Sequence, residues 1–118
     1  MSASINTVVL AGNVTRAVEM RYTPKGTAVA DIGLAMNRRW RNDAGEDKED
    51  VTFVDVTAWG KTAENSAQYL KKGSPVLIEG RLSLEQWEDK ATQQKRSKVV
   101  VVAEKVHFLW SAPEREAA

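Results

Sequence analysis

Two stretches of strict alternation constrain this chain most. From Val51 to Trp59, one side of an extended backbone carries Val54, Val56 and Ala58, and the other carries Phe53, Asp55, Thr57 and Trp59. From Pro75 to Glu88, Val76, Ile78, Leu82 and Leu84 share a side with Gly80. Leu77, Glu79, Arg81, Ser83, Glu85 and Trp87 take the opposite side. A period of two belongs to β-strands, so each stretch predicts a strand with one apolar and one largely polar face.

The rest of the chain extends the pattern. Thr7 to Leu10 is a short apolar run closed by Ala11-Gly12-Asn13, and Met20 to Thr23 is a second short piece ended by the turn sequence Pro24-Lys25-Gly26. Ala28 to Trp40 alternates, with Gly33 as a candidate bulge. Asn42 to Asp50 reads as a polar hairpin tip. Thr62 to Lys72 is the one good helix: Thr62 is placed to cap it, Glu64 to complement its dipole, and Lys71-Lys72-Gly73 to close it. Lys98 to Trp110 predicts the last strand, and its uninterrupted Val99 to Val102 suggests cover on both faces. Gly60 and Gly80 sit where a small closed sheet must bend. The fold class is therefore all-β: a five-stranded Greek-key OB barrel, with one α-helix between the third and fourth strands and extended hairpin arms. Residues 1–110 make the domain and 111–118 a short polar extension.

Composition excludes several functions. With no cysteine in 118 residues, disulfides, thiolate nucleophiles and cysteine-held metals are absent. No stretch is long and apolar enough to span a membrane, and no signal region begins the chain, so the cytosol or nucleoid is the expected location. No cofactor is expected. His107 is the only histidine, and its valine-rich surroundings suggest a packed or surface residue rather than a catalyst. Gly60-Lys61-Thr62 resembles the end of a phosphate loop, but Asp55 stands where the first glycine belongs. The acids of residues 43–50 lack calcium-loop spacing. An enzyme is not expected.

The net charge of +1 argues against a polyanion partner until its distribution is read. Residues 42–50 hold five acids against Lys48, so the positive excess lies elsewhere. Arg16, Arg21, Lys25, Arg38, Arg39 and Arg41 crowd the chain just before them. A segregated field attracts a polyanion even near neutrality.

The aromatics complete this reading. Phe53, Trp59 and Trp87 fall on polar parity, and Trp40 lies within Arg38-Arg39-Trp40-Arg41. A lone strand tryptophan is more often packed than a platform. Four such rings in one barrel, three of them on the polar side and one among arginines, favour base stacking. Stacking is sequence-tolerant and worth about 1–3 kcal/mol per base, while cations neutralise phosphates. Trp110, Tyr22 and Tyr69 read as structural.

The chain resembles the bacterial single-stranded DNA-binding protein family. The resemblance rests on Asn6 to Asn13, Arg21 to Gly26, Ala28 to Ala30, Asn37 to Trp40, Trp59 to Glu64, Tyr69 to Ser74 and Ile78 to Leu82, and covers about residues 5–110. It implies an OB fold, usually a homotetramer, that protects single-stranded DNA in replication, recombination and repair. The family's base-stacking positions fall on Trp40, Phe53, Trp59 and Trp87, and its phosphate-contacting lysines match Lys61 and Lys72. With Arg21, Arg38, Arg39, Arg41 and Arg81 these form the candidate nucleic-acid site. Three departures stand out. Val54 replaces a histidine often involved in subunit assembly, which leaves a dimer as the alternative to the tetramer. Asp55 stands where a base is common, and Glu85 adds an acid to the aromatic face. Family members also usually continue into a long acidic-tipped tail that recruits other proteins, where this sequence has only residues 111–118. The competing readings are a tail-less OB adaptor that contacts replication or repair proteins in replication restart or DNA uptake, and an RNA binder, since stacking does not sense the 2′-hydroxyl.

Overall fold

The computed structural model describes residues 3–109. The chain runs β1 (Val8–Val14), β2 (Glu19–Tyr22), β3 (Ala28–Arg41), β4 (Asp47–Trp59), α1 (Gly60–Tyr69), β5 (Pro75–Glu88) and β6 (Lys95–Phe108). Strand neighbours follow the order β1-β5-β6-β4-β3-β2, and β1 returns to β3 through Asn13↔Ala35 and Val14↔Leu34. That return closes β1, β3, β4, β5 and β6 into a five-stranded barrel, with β2 as a short edge strand on β3. Counted on the barrel, α1 lies between the third and fourth strands, as the sequence predicts. β4 and β6 run parallel through Val56↔Val101 and Thr57↔Val102.

The inward parity holds through the barrel wall. Ile32, Leu34, Val56, Ala58, Val76 and Ile78 are wholly buried, and Ala63 of α1 and Leu70 just past its end join the same core. Burying each larger aliphatic side chain contributes about 1.5–3 kcal/mol. Two glycines permit closure. A Cβ on Gly12 would strike the Ala35 carbonyl where β1 meets β3, and a Cβ on Gly80 would strike the Val102 carbonyl. The ladder of β5 and β6 shifts register between Glu79 and Gly80, which bends the wall there.

Beyond the wall, two hairpins project. Arg38 to Arg41 pair with Asp47 to Asp50 in one, and Leu82 to Glu88 pair with Lys95 to Val101 in the other.

Several expectations need correction. β1 does not end at Leu10; Gly12 continues it because closure needs a side-chain-free position. Gly33 is no bulge, since β3 and β4 stay in register from Val29 to Arg41; its missing side chain instead leaves room for Thr15 and Arg16. The polar tip is narrower than Asn42–Asp50, because β4 already begins at Asp47. The helix is Gly60–Tyr69, and Trp59 occupies the N-cap with no side-chain hydrogen bond. Gly60, at φ +63, lets β4 turn directly into the helix. Thr62 therefore lies inside the helix, where its carbonyl accepts a bond from the Ser66 hydroxyl at 2.8 Å. Lys71 and Lys72 lie past its end. Of the four valines expected to be covered, Val100 and Val101 are buried, but Val99 is exposed on the projecting hairpin. Leu82 and Leu84, on inward parity, are likewise exposed there. Trp110 lies outside the described residues.

Candidate nucleic-acid interface

β4 positions Phe53, Asp55, Thr57 and Trp59 on one side by alternation alone. Phe53 stands opposite Ala35, whose small side chain leaves the ring uncovered, and Trp59 stands opposite the buried Val29. Phe53 is 71% exposed, Trp59 48%, Trp87 49% and Trp40 37%. Large rings left this open serve no core. Thr57 shares their side yet is buried, because it lies mid-wall between Asp31 of β3 and Val102 of β6.

β5 carries Arg81, Ser83, Glu85 and Trp87 along its outward side, with Glu85 opposite Lys98 and Trp87 opposite Arg96. Lys98 reaches from β6 to the Asp55 carboxylate on β4. This contact joins the side that bears Trp87 to the side that bears Phe53 and Trp59. Trp40 is placed differently. It shares strand parity with Leu34 and pairs with Lys48, on the opposite side of the β3–β4 ribbon from Phe53. Arg38 lies over its ring, 5.1 Å from the centroid.

Most candidate cations are already matched by acids. Arg21 bonds Asp31 at 2.5 Å, Arg39 meets Glu49 at 3.4 Å, Arg41 meets Asp47 at 3.2 Å and Arg81 meets Glu104 at 3.2 Å. The acids of the hairpin thus lie directly across from its arginines rather than in a detached tip. Lys61 is exposed two residues after Trp59, and Lys72 is exposed beyond the far end of α1, so the helix separates them.

Sequence reading missed Arg16 and Lys98 as parts of this face. Arg16 approaches Asp55 at 3.4 Å from the turn after β1. The hydrogen bond from Thr15 N to the Gly33 carbonyl, at 2.9 Å, holds that turn over β3. No local pattern reveals either partner, because they lie 39 and 43 residues from Asp55. The Lys98 hydrogen bond holds the Asp55 carboxyl below its ordinary value; partial burial opposes this, and Arg16 adds to the lowering. His107 is a surface residue on β6, 2.5 Å from Glu79 of β5. Tyr69 meets Phe108 edge-on at 5.8 Å between ring centroids, yet Tyr69 and Tyr22, both expected to be structural, are exposed to the same degree.

The sequence profile of the single-strand binding protein family matches residues 5–109. The chain belongs to that family. A single-stranded DNA-binding protein of Wolinella succinogenes is 55% identical over 104 residues, covering 88% of this chain and 64% of that protein. The wild-type single-stranded DNA-binding protein of Thermus aquaticus superposes with a TM-score of 0.79 at 34% identity, covering 92% of this chain and 52% of that one. A Plasmodium falciparum family protein, solved with single-stranded DNA, shares the fold at a TM-score of 0.83 and 22% identity, over 93% of this chain and 99% of that one. The chain spans less than two thirds of the length of the curated relatives it matches. Membership in a family of binding proteins agrees with the expectation that the chain does no chemistry on DNA. Among the described residues, no group of three or more acids or histidines is placed to hold a metal ion, and no helix is long and apolar enough to cross a membrane.

Proposed function

We propose that this chain binds single-stranded DNA with little regard to sequence and protects it during replication, recombination and repair. The observation that carries the reading is the set of exposed rings Phe53, Trp59 and Trp87 on outward strand parity, joined by the Lys98–Asp55 contact. Bases stack on these rings, and Trp40 on the β3–β4 hairpin extends the path. Arg21, Arg38, Arg39, Arg41, Arg81, Lys61 and Lys72 supply the phosphate contacts. Because acids hold four of these arginines, stacking carries a larger share of the affinity than the cation count suggests.

The same reading includes a homotetramer, with a dimer as the alternative. Two features support self-association. Only the last two residues of β1 pair with β3, so Val8 to Gly12 present an open strand edge. Leu82, Leu84 and Val99 leave apolar surface on the β5–β6 hairpin.

Titration with oligo-dT tests the function. Tryptophan fluorescence falls on binding, and affinity declines with salt by about 0.7 log units per log salt for each phosphate neutralised. Absence of quenching at low salt overturns the reading. Mass measurement with and without a long oligo-dT decides the subunit number.

A further inference from the structure

We propose that Arg16 and Lys98 form a phosphate-binding site on the aromatic face, which the Asp55 carboxylate occupies until DNA displaces it. The inference rests on the single-stranded DNA reading above.

The two cations come from separate elements, the turn after β1 and the first part of β6, yet both end on one carboxylate. Asp55 presents them with a delocalised anion bearing two acceptor oxygens, the same recognition chemistry that a phosphate diester offers. The site also lies where a strand of DNA must pass. Asp55 alternates between Phe53 and Trp59 on β4, and Lys98 stands across from Glu85, two residues from Trp87. Arg16 reaches it only because Gly33, directly opposite Asp55, has no side chain.

All three side chains remain open to solvent: Arg16 and Lys98 at 48% and Asp55 at 38%. Ion pairs this exposed are weak and exchange readily. The cluster lines a polar concavity of about 280 Å³ that also holds Arg21, Asp31 and Glu85. An arriving phosphate trades places with Asp55, and the released carboxylate takes up a cation from solution. That uptake offsets part of the counterion release from DNA, so the salt dependence is shallower than the number of cations implies.

The test compares oligo-dT affinity across a salt series for the full chain and four variants. Asp55→Asn keeps the side-chain shape and cannot compete. It is expected to bind about three- to tenfold tighter at moderate salt, with a log–log slope steeper by about 0.7–1.4. Adding Lys98→Met to Asp55→Asn removes most of the gain and returns the slope by about 0.7. Lys98→Met alone, which leaves Asp55 with Arg16 only, binds more weakly than wild type. Glu64→Gln, an equal charge change on α1, leaves the slope unaltered. The proposal is overturned if Asp55→Asn matches wild type in affinity and slope. It is overturned equally if Lys98→Met has no effect in the Asp55→Asn background, or if Glu64→Gln reproduces the gain. Failure of the wild-type chain to bind oligo-dT overturns the function itself. Binding by wild type with an unresponsive Asp55→Asn overturns this site alone. Thermal melting of each variant confirms that it is folded before its affinity is compared.

Discussion

Arg38 lies over the ring of Trp40, its guanidinium carbon 5.1 Å from the centroid. One face of Trp40 is therefore taken in the free chain, whereas no such cation covers Phe53, Trp59 or Trp87 among the described residues. A base that stacks on the covered face displaces a cation–π contact worth about 0.5–1 kcal/mol at an exposed site. Trp40→Ala should accordingly cost less binding free energy than Trp59→Ala or Trp87→Ala, each expected at about 1–3 kcal/mol. Arg38→Ala should recover part of the stacking at Trp40 while losing one phosphate contact. Oligo-dT titrations followed by anisotropy of a labelled oligomer check the order. A Trp40→Ala loss larger than both others contradicts it.

The Asp55 carboxyl makes a prediction about folding that is separate from DNA. Its pKa is lowered, chiefly by the hydrogen bond from Lys98, against partial burial and with help from Arg16. A group whose folded value lies below its unfolded one stabilises the fold above the unfolded value. That contribution is lost as pH falls through the folded value. The gap in stability between wild type and Asp55→Asn should hold steady from neutral pH to about pH 5 and close as pH falls below about 4. Half-exposed pairs limit the gap to less than about 1 kcal/mol. Arg21, Asp31, Glu19 and Glu85 face the same concavity and are shared by both proteins, so the difference isolates Asp55. Urea unfolding over a pH series measures it, and a gap that widens in acid would show the sign to be wrong.

Glycines at two kinds of position should respond differently. At Gly80 an added Cβ meets the Val102 carbonyl, a backbone atom fixed in the β5–β6 ladder. Gly80→Ala must shift that ladder and is expected to cost about 1–3 kcal/mol or more. Gly45, at the hairpin tip, has open space around it but a φ of +83. Gly45→Ala carries only the left-handed backbone penalty, about 1 kcal/mol. Equal losses in denaturant unfolding would mean that close packing at Gly80 does not govern the bend.

The part of the candidate site that is legible in sequence is the part written in alternation. Phe53, Trp59 and Trp87 follow from period two because each strand also carries an apolar set that marks its inner side. Alternation fails where the chain leaves the barrel. Leu82 and Leu84 keep inward parity past Gly80, but there is no interior left for them to face. Trp40 keeps the parity of Leu34 and was found only through its arginine neighbours. The end of β1 was misread because Gly12, usually a terminator, serves here as the point of closure against Ala35. The cluster of Arg16, Asp55 and Lys98 was not legible at all, since it exists only once three distant segments meet.

Phe53 offers the cleanest separation of binding from folding. Its ring is the most exposed of the four and its partner across β3 is only Ala35. Truncating it removes little buried surface, so Phe53→Ala should change stability by no more than about 0.5 kcal/mol. The same change removes a stacking platform and should weaken oligo-dT binding by about 1–3 kcal/mol, roughly 5- to 150-fold. Phe53→Trp should preserve binding, because a larger π-face serves any base, and Phe53→Leu should behave like Phe53→Ala, because an aliphatic side chain of similar size lacks that face. Paired unfolding and binding measurements on the three variants decide the matter. If Phe53→Leu binds as well as wild type, the ring acts through apolar contact and not through stacking. If Phe53→Ala unfolds far more easily, the ring is covered in solution by another copy of the chain, and its role is assembly rather than DNA.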